Sequence, residues 1–308
     1  MSPSQGNVRR LIEAMQETKD VLQMARVLED LSDFSAFRSE DLVELNRQFP
    51  TPFVNIGGGP TFHYPLWKNL DAVKSLFNPD SFYFAPDCRL PFDAGSMKLV
   101  YSSHALEHLD NPTVDRVIGE ASRILQPDGA LVIKIPDYEV LLAAVRNNDP
   151  APLADALWGF STVTPTLANR GFEDGLHVRA AYIFCGFWNR AFGNVFEKYD
   201  VHAPGSYNGP APMGIDGLTR LLAESSPQQI ASEMRECVIA NESDFTFNHQ
   251  NAWSVDEFVR LLASHGLEVV STDKAAILRR YSYIPRLREM YGISNYYVAF
   301  PVAGGAAR

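Results

Sequence analysis

Three stretches of the 308-residue chain carry side chains able to do chemistry. "NIGGGP", residues 55–60, closes an apolar run with Gly57, Gly58 and Gly59, and Asp71 follows shortly after. "SSHALEHL", residues 102–109, brings Ser102, Ser103, His104, Glu107 and His108 together. "NHQNAW", residues 248–253, adds His249. Glycines let a backbone turn sharply and approach a ligand closely. An acidic side chain at the end of the next strand can accept hydrogen bonds from a diol. Histidine exchanges a proton near neutrality without a large shift of pKa. His104 and then His249 are the leading candidates for a base, ahead of His63, Asp137 and His177. Glu107 and His108 open a short helix and read first as groups that orient the loop.

The glycine run limits what the ligand can be. A phosphate loop of the Walker type needs a Lys-Ser/Thr pair after its last glycine, and none is present. A dinucleotide site needs G-x-G-x-x-G and an acidic residue ~20 positions on. Gly57 and Gly59 supply the first two glycines, but Phe62 stands in the third place. Asp71 also follows Gly59 too closely for a full helix, and Pro60 and Pro65 shorten the interval further. A nucleoside without a pyrophosphate suits this loop better than a dinucleotide does.

The elements that must hold these residues follow an α/β rhythm. "FVNI", "WKNLD", "SFYFAPD" and "MKLVYSS" are short apolar strands, each ending close to one of the polar groups. "TVDRVIGEASRIL" is a helix with Val114, Val117, Ile118, Ala121 and Leu125 on one face; "PDG" stops it, and "ALVIKI" is the fifth strand. "SVDEFVRLLASHG" is a helix with Ser254 as N-cap and Gly266 as its stop, and "LEVVSTD" and "NYYVAFPV" are further strands. Apolar strands alternating with helices imply a mostly parallel sheet covered on both faces. Ahead of them, residues 8–32 predict an amphipathic helix with Leu11, Met15, Leu22, Ala25, Val27, Leu28 and Leu31 on its apolar face.

Residues 146–250 break the rhythm. They are rich in aromatic residues and hold the Gly/Pro loop "APGSYNGPAPMG", so they read as an insertion into one sheet domain. The expected division is an N-terminal helical extension over 1–50, a core over 51–145, an inserted helical cap over 146–250, and a part completing the sheet over 251–308.

Bulk properties exclude several classes. A net charge of −10 without a Lys/Arg cluster argues against a nucleic-acid partner and against docking on anionic lipid. No run approaches the ~20 apolar residues of a membrane span, and "MSPSQGNVRR" has no apolar signal core. Cys88, Cys185 and Cys237 form neither a zinc pattern nor a disulfide framework, so the cytoplasm is the expected location and no metal site is expected.

In order, the segments "NIGGGPTFHYPLWKNLD", "APDCRLPFDAGSMKLVYSSHALEHL" and "EASRILQPDGALVIKIPD" resemble the class I S-adenosylmethionine (SAM)-dependent methyltransferases, in the branch with an N-x-G-x-G-P loop and an E-H-L signature. The resemblance covers about residues 52–140, with weaker support over 252–300. It implies a doubly wound, Rossmann-like, mostly parallel sheet and SAM as cofactor. It places Asn55, Gly57, Gly58 and Gly59 in the first cofactor loop and Asp71 at the ribose. It places Asp87 and Cys88 beside the adenine, and Ser102, Ser103 and His104 along the methyl-transfer site. Asn55, Thr61 and Lys98 depart from the acidic residue, glycine and aspartate common at those places. The expected activity is methyl transfer to oxygen or nitrogen of a small-molecule or glycan acceptor, with a homodimer as the possible assembly. The alternatives are a catalytically silent SAM-fold partner protein and an NAD-dependent oxidoreductase.

Overall fold

The computed structural model describes residues 13, 20–30, 51–58, 62, 64–71, 82–83, 89–151, 176, 180, 184, 215–239, 249–289 and 291–302. Among these, seven strands form one sheet: β1 (Phe53–Ile56), β2 (Trp67–Asp71), β3 (Phe82–Tyr83), β4 (Met97–Ser103), β5 (Leu125–Pro136), β6 (Leu267–Ser271) and β7 (Ser294–Pro301). Their order is β3-β2-β1-β4-β5-β7-β6. The first five are parallel, and β7 runs antiparallel to both β5 and β6. This is the doubly wound, mostly parallel sheet that the sequence predicts.

Strand residues alternate between two buried clusters, one on each face. Val54, Ile56, Leu70, Val100, Leu131, Ile133, Tyr297 and Ala299 point to one side. Phe53, Trp67, Leu99, Tyr101, Val132, Tyr296 and Val298 point to the other. Because side chains alternate along a strand, near-continuous apolar runs are what a sheet buried on both faces requires. The helices Asn111–Ile124 and Val255–Ser264 cover the first face through Val114, Val117, Ile118, Ala121, Ile124, Phe258 and Leu262. Met24, Ala25, Ile277, Ile284 and Leu287 cover the second. We number the helices α1 (Val21–Asp30), α2 (Asn111–Ile124), α3 (Tyr138–Asn147), α4 (Ile215–Glu224), α5 (Pro227–Ile239), α6 (Val255–Ser264) and α7 (Lys274–Arg280).

Several sequence expectations shift. Among the described side chains of α1, Met24 and Ala25 are buried, while Leu22 is exposed. At ~100° per residue, a stripe centred between positions 24 and 25 leaves position 22 well round the cylinder. Within the predicted 8–32 helix, Glu13 is helical but Asp20 is not, and its carboxylate accepts from Leu22 N at 2.8 Å ahead of α1, so the predicted helix is interrupted there; the other positions outside α1 lie outside the described residues. "PDG" does not separate α2 from β5, because the strand begins at Leu125, the C-cap of α2. Pairing with β4 jumps from Met97↔Leu125 to Leu99↔Ala130, so the turn becomes a bulge. A Cβ on Gly129 would stand 2.8 Å from the Met97 carbonyl, so the residue type is fixed there by space. Helix α3 has no counterpart in the sequence reading. It starts at Asp137, whose side chain accepts from Val140 N at 3.1 Å and pairs with Lys274 at 3.2 Å. The Asp137 carboxylate therefore serves as a helix cap rather than an available base.

Lys134 is the most deeply buried cation among the described residues, at 1% exposure on β5. Its ammonium donates to the carbonyls of Arg286 (3.2 Å), Leu287 (3.4 Å) and Glu289 (2.7 Å). It thereby ties the 286–289 turn to the sheet. Desolvation pushes its pKa down to about 8 from its ordinary 10.5, although Glu289 pulls the other way. Lys134→Met keeps most of the volume and leaves three carbonyls without that donor. It should cost at least ~2 kcal/mol in a denaturant titration at neutral pH. The pH dependence has a definite sign. Between about 8 and 10.5 the unfolded chain holds this proton and the folded chain has released it. The Lys134 contribution to stability therefore rises with pH in that window. A wild-type minus Lys134→Met difference that stays flat across it would contradict the assignment.

Candidate active site

In this order the chain leaves β1 for β2 on one side, while β4 lies on the other. The carboxyl ends of β1 and β4 thus flank the point where the winding changes direction, which is where open parallel sheets bind ligands. The glycine loop and "SSHALEHL" meet there. Gly57 turns with φ +78° and donates from its backbone to the Leu70 carbonyl at 2.7 Å. A Cβ on Gly57 would stand 2.1 Å from Ala105 Cβ, so the loop after β1 lies directly against the loop after β4. A Cβ on Gly58 would stand 2.1 Å from Asn55 Nδ2 and 2.3 Å from Asn69 Oδ1. Both positions need glycine for close approach, and Gly57 needs it also for its left-handed backbone.

The predicted site residues divide into those at the strand ends and those inside the sheet. Asp71 ends β2, mostly buried, beside the Gly57 turn. Ser103 ends β4, half-buried. Asn55 is buried in β1, and its amide donates to Asn69 Oδ1 at 2.9 Å, bracing β1 against β2. Ser102 is buried and donates to the Ile56 carbonyl at 3.1 Å, bracing β4 against β1. These two hold the ends of the strands in place. Gly59, Asp87, Cys88, His63 and His177 lie outside the described residues.

After β4 the chain reverses at His104, which takes a left-handed φ of +49°. Leu106–His108 then form a single 3-10 turn. His104 Nε2 lies 2.8 Å from the Ser294 hydroxyl, and Nδ1 lies 3.2 Å from Glu107 Oε1. That second contact is at ion-pair distance but out of line for a full hydrogen bond, since neither Glu107 oxygen has a hydrogen-bond donor. Burial pushes the His104 pKa below its usual value, against the pull of Glu107, and keeps the imidazole neutral. Glu107 has no exposure at all. Desolvation raises its pKa, but His104, His249 and His108 together outweigh this and hold it at about 2.

His249 reaches the same place from the far end of the insertion. Its Nδ1 lies 2.9 Å from the Tyr138 hydroxyl, and its Nε2 lies 4.0 Å from Glu107 Oε1. The His249 ring meets that of His108 edge-on, with centroids 4.6 Å apart. The backbone fixes this meeting. Gln250 N and Asn251 N both donate to the Glu107 carbonyl, at 2.6 and 3.1 Å. The Gln250 amide donates to the His108 carbonyl at 3.0 Å, and the Asn251 amide donates to the Leu109 carbonyl. The two histidines that the sequence singles out are thus brought together around Glu107. Tyr138 and Ser294, which orient them, carry no signal in the sequence beyond their place at the ends of β5 and β7.

Residues 68–133 match the family of methyltransferase domains. With the strand order above, that match makes this part of the sheet a methyltransferase domain, and SAM is the cofactor that such domains use. Among solved structures, the chain is similar to a SAM-dependent methyltransferase from Mesorhizobium loti, 14% identical over 84% of this chain and 96% of that one, with a TM-score of 0.37. It is also similar to PKMT2 from Rickettsia typhi, 11% identical over 84% of this chain and 52% of that one, with a TM-score of 0.35. Both are likenesses too loose to speak to substrate.

The Gly57 contact gives a direct test. Gly57→Ala puts a side chain into a left-handed turn and against Ala105. It should weaken SAM binding at least tenfold, a loss of ~1.4 kcal/mol or more, as read by calorimetry. Ala105→Gly removes the opposing Cβ and should return part of that loss in the double variant. Full SAM affinity in Gly57→Ala alone would show that the two loops need not meet so closely.

Proposed function

We propose that this methyltransferase transfers a methyl group to an oxygen or nitrogen of a small molecule or sugar unit held under the 146–250 insertion. The observation that supports this reading is the placement of the helices around α3. Helix α3 leaves the carboxyl end of β5, and its buried Tyr138, Leu141, Leu142 and Ala144 join neither sheet-face cluster. Its partner is α4: Arg146 donates to the Leu222 carbonyl within that helix (3.1 Å) and to the Ser225 carbonyl just after it (2.7 Å). The described part of the insertion therefore packs on a helix that starts at the ligand-binding end of the sheet. An enclosed acceptor of modest size fits such a cap.

In this reading Asp71 accepts the ribose hydroxyls, and the Gly57–Gly59 backbone approaches the methionine part of the cofactor. Asp87 and Cys88 border the adenine. Asn55 and Ser102 act through the strands they brace. SAM supplies an activated methyl on a sulfonium, so the protein's task is mainly alignment. A hydroxyl acceptor must also lose a proton. His104, neutral and at the strand end, is the first residue proposed to receive it, with His249 second.

Two substitutions separate cofactor binding from turnover. Charge-assisted hydrogen bonds are worth ~1.5–3 kcal/mol, so Asp71→Ala should weaken SAM binding by roughly tenfold or more. Unchanged affinity by calorimetry removes Asp71 from the ribose. His104→Gln should lower turnover by ~10²-fold while SAM affinity stays within a few-fold. Because that comparison needs an acceptor, an extract screen with methyl-labelled SAM comes first. Label appearing only in a large protein or nucleic acid would overturn the small-acceptor reading.

A further inference from the structure

Among the described residues, Glu107 is the buried charge at the site whose surroundings leave it incomplete. It has no exposure, and neither carboxylate oxygen receives a hydrogen bond. A buried carboxylate in that condition is costly unless a cation completes it. The nearest groups are imidazoles. Glu107, His108 and His249 each present a ligand atom, and these atoms lie within 4.8 Å of one another.

The spacing around His249 sharpens the point. The Tyr138 hydroxyl lies 2.9 Å from His249 Nδ1 and 3.3 Å from the Asn251 carbonyl. On the other side of the ring, Nε2 faces Glu107 Oε1 across 4.0 Å. A hydrogen bond cannot bridge two atoms that far apart. A divalent transition ion can, because its bonds to histidine nitrogen and carboxylate oxygen are each ~2.0–2.2 Å.

We propose that Glu107, His108 and His249 form a binding site for one divalent transition-metal ion of the zinc type. Two imidazoles and one carboxylate are the donor set such ions accept with coordination positions left open. The outer groups a metal site needs are already present. The Tyr138 hydroxyl holds the far nitrogen of His249, and His104 stands 3.2 Å from the Glu107 carboxylate. His108 is half-buried, so the site has an open side. The ligands come from two segments far apart in the chain, so the ion would lock the 3-10 turn after β4 to the 249–251 segment. With His249 a ligand, His104 remains the first candidate to receive the acceptor's proton.

The test needs neither SAM nor an acceptor, so it stands apart from the methyltransferase reading. The full chain, stripped by chelator dialysis, is titrated with Co²⁺ and followed by its visible absorption. A parallel titration with Zn²⁺ is followed by calorimetry and by melting temperature. The expected result is one ion per chain, a ligand-field band for Co²⁺, and a rise in melting temperature with Zn²⁺. His108→Gln, at a half-exposed position, should weaken binding at least tenfold, and Glu107→Gln should abolish it. Circular dichroism establishes that each variant is folded. Should Glu107→Gln fail to fold, His108→Gln and His249→Gln decide. No saturable binding in the wild type, or equal affinity in folded wild type and His108→Gln, overturns the proposal.

Discussion

The junction between the turn after β4 and the 249–251 segment governs how the rest of this enzyme is arranged. Two backbone donors converge on the Glu107 carbonyl, and two side-chain amides close on the carbonyls of His108 and Leu109. This junction seals the Glu107 carboxylate from water and sets His104 and His249 on its flanks. It is also where the chain returns from the insertion and begins α6. A single polar knot therefore fixes the floor of the site and the point at which the sheet fold resumes.

Charge and packing act together there. On the apolar side, β1 and β4 sit in register, and Ser102 is hydrogen-bonded to the last carbonyl of β1. That register brings Gly57 against Ala105, and this contact excludes a side chain at Gly57. The left-handed turn at His104 follows at once, with its backbone donating to the Lys134 carbonyl at 2.8 Å. The Lys134 ammonium, from the same residue, holds the 286–289 turn. The glycine loop, the turn after β4 and the 286–289 turn are thus linked through β4 and β5.

Much of the sheet was legible in the sequence because a strand buried on both faces writes itself as an apolar run. "FVNI", "WKNLD" and "MKLVYSS" coincide with β1, β2 and β4. The Ser254 N-cap of α6 was equally plain, since capping is local, and the structure adds Glu257 as its partner in a capping box. What escaped depends on tertiary context. Helix α3 begins directly after β5 at the Asp137 cap, and a Pro-Asp pair reads equally well as the polar end of a strand. The "PDG" turn survives as a bulge because pairing with β4 overrides the local stop. Helix α1 turns on its axis to bury Met24 in place of Leu22. At the site, the residue types pointed to Asp71, His104 and His249. They could not show that Asn55 and Ser102 face neighbouring strands, or that both histidines share Glu107.

The antiparallel strand β7 carries a consequence for how the chain is made. Pro136 of β5 lies opposite Ser294 of β7, and β7 in turn is the partner of β6. At ~5–20 residues per second of synthesis, β5 emerges on the order of ten to thirty seconds before the strand that covers its edge. Throughout that interval the parallel half of the sheet presents an apolar strand with open hydrogen-bonding groups, the kind of edge on which chains aggregate. The large insertion is synthesised in that same interval. The nascent protein must therefore shield β5, with its own insertion or with a chaperone, until β7 arrives.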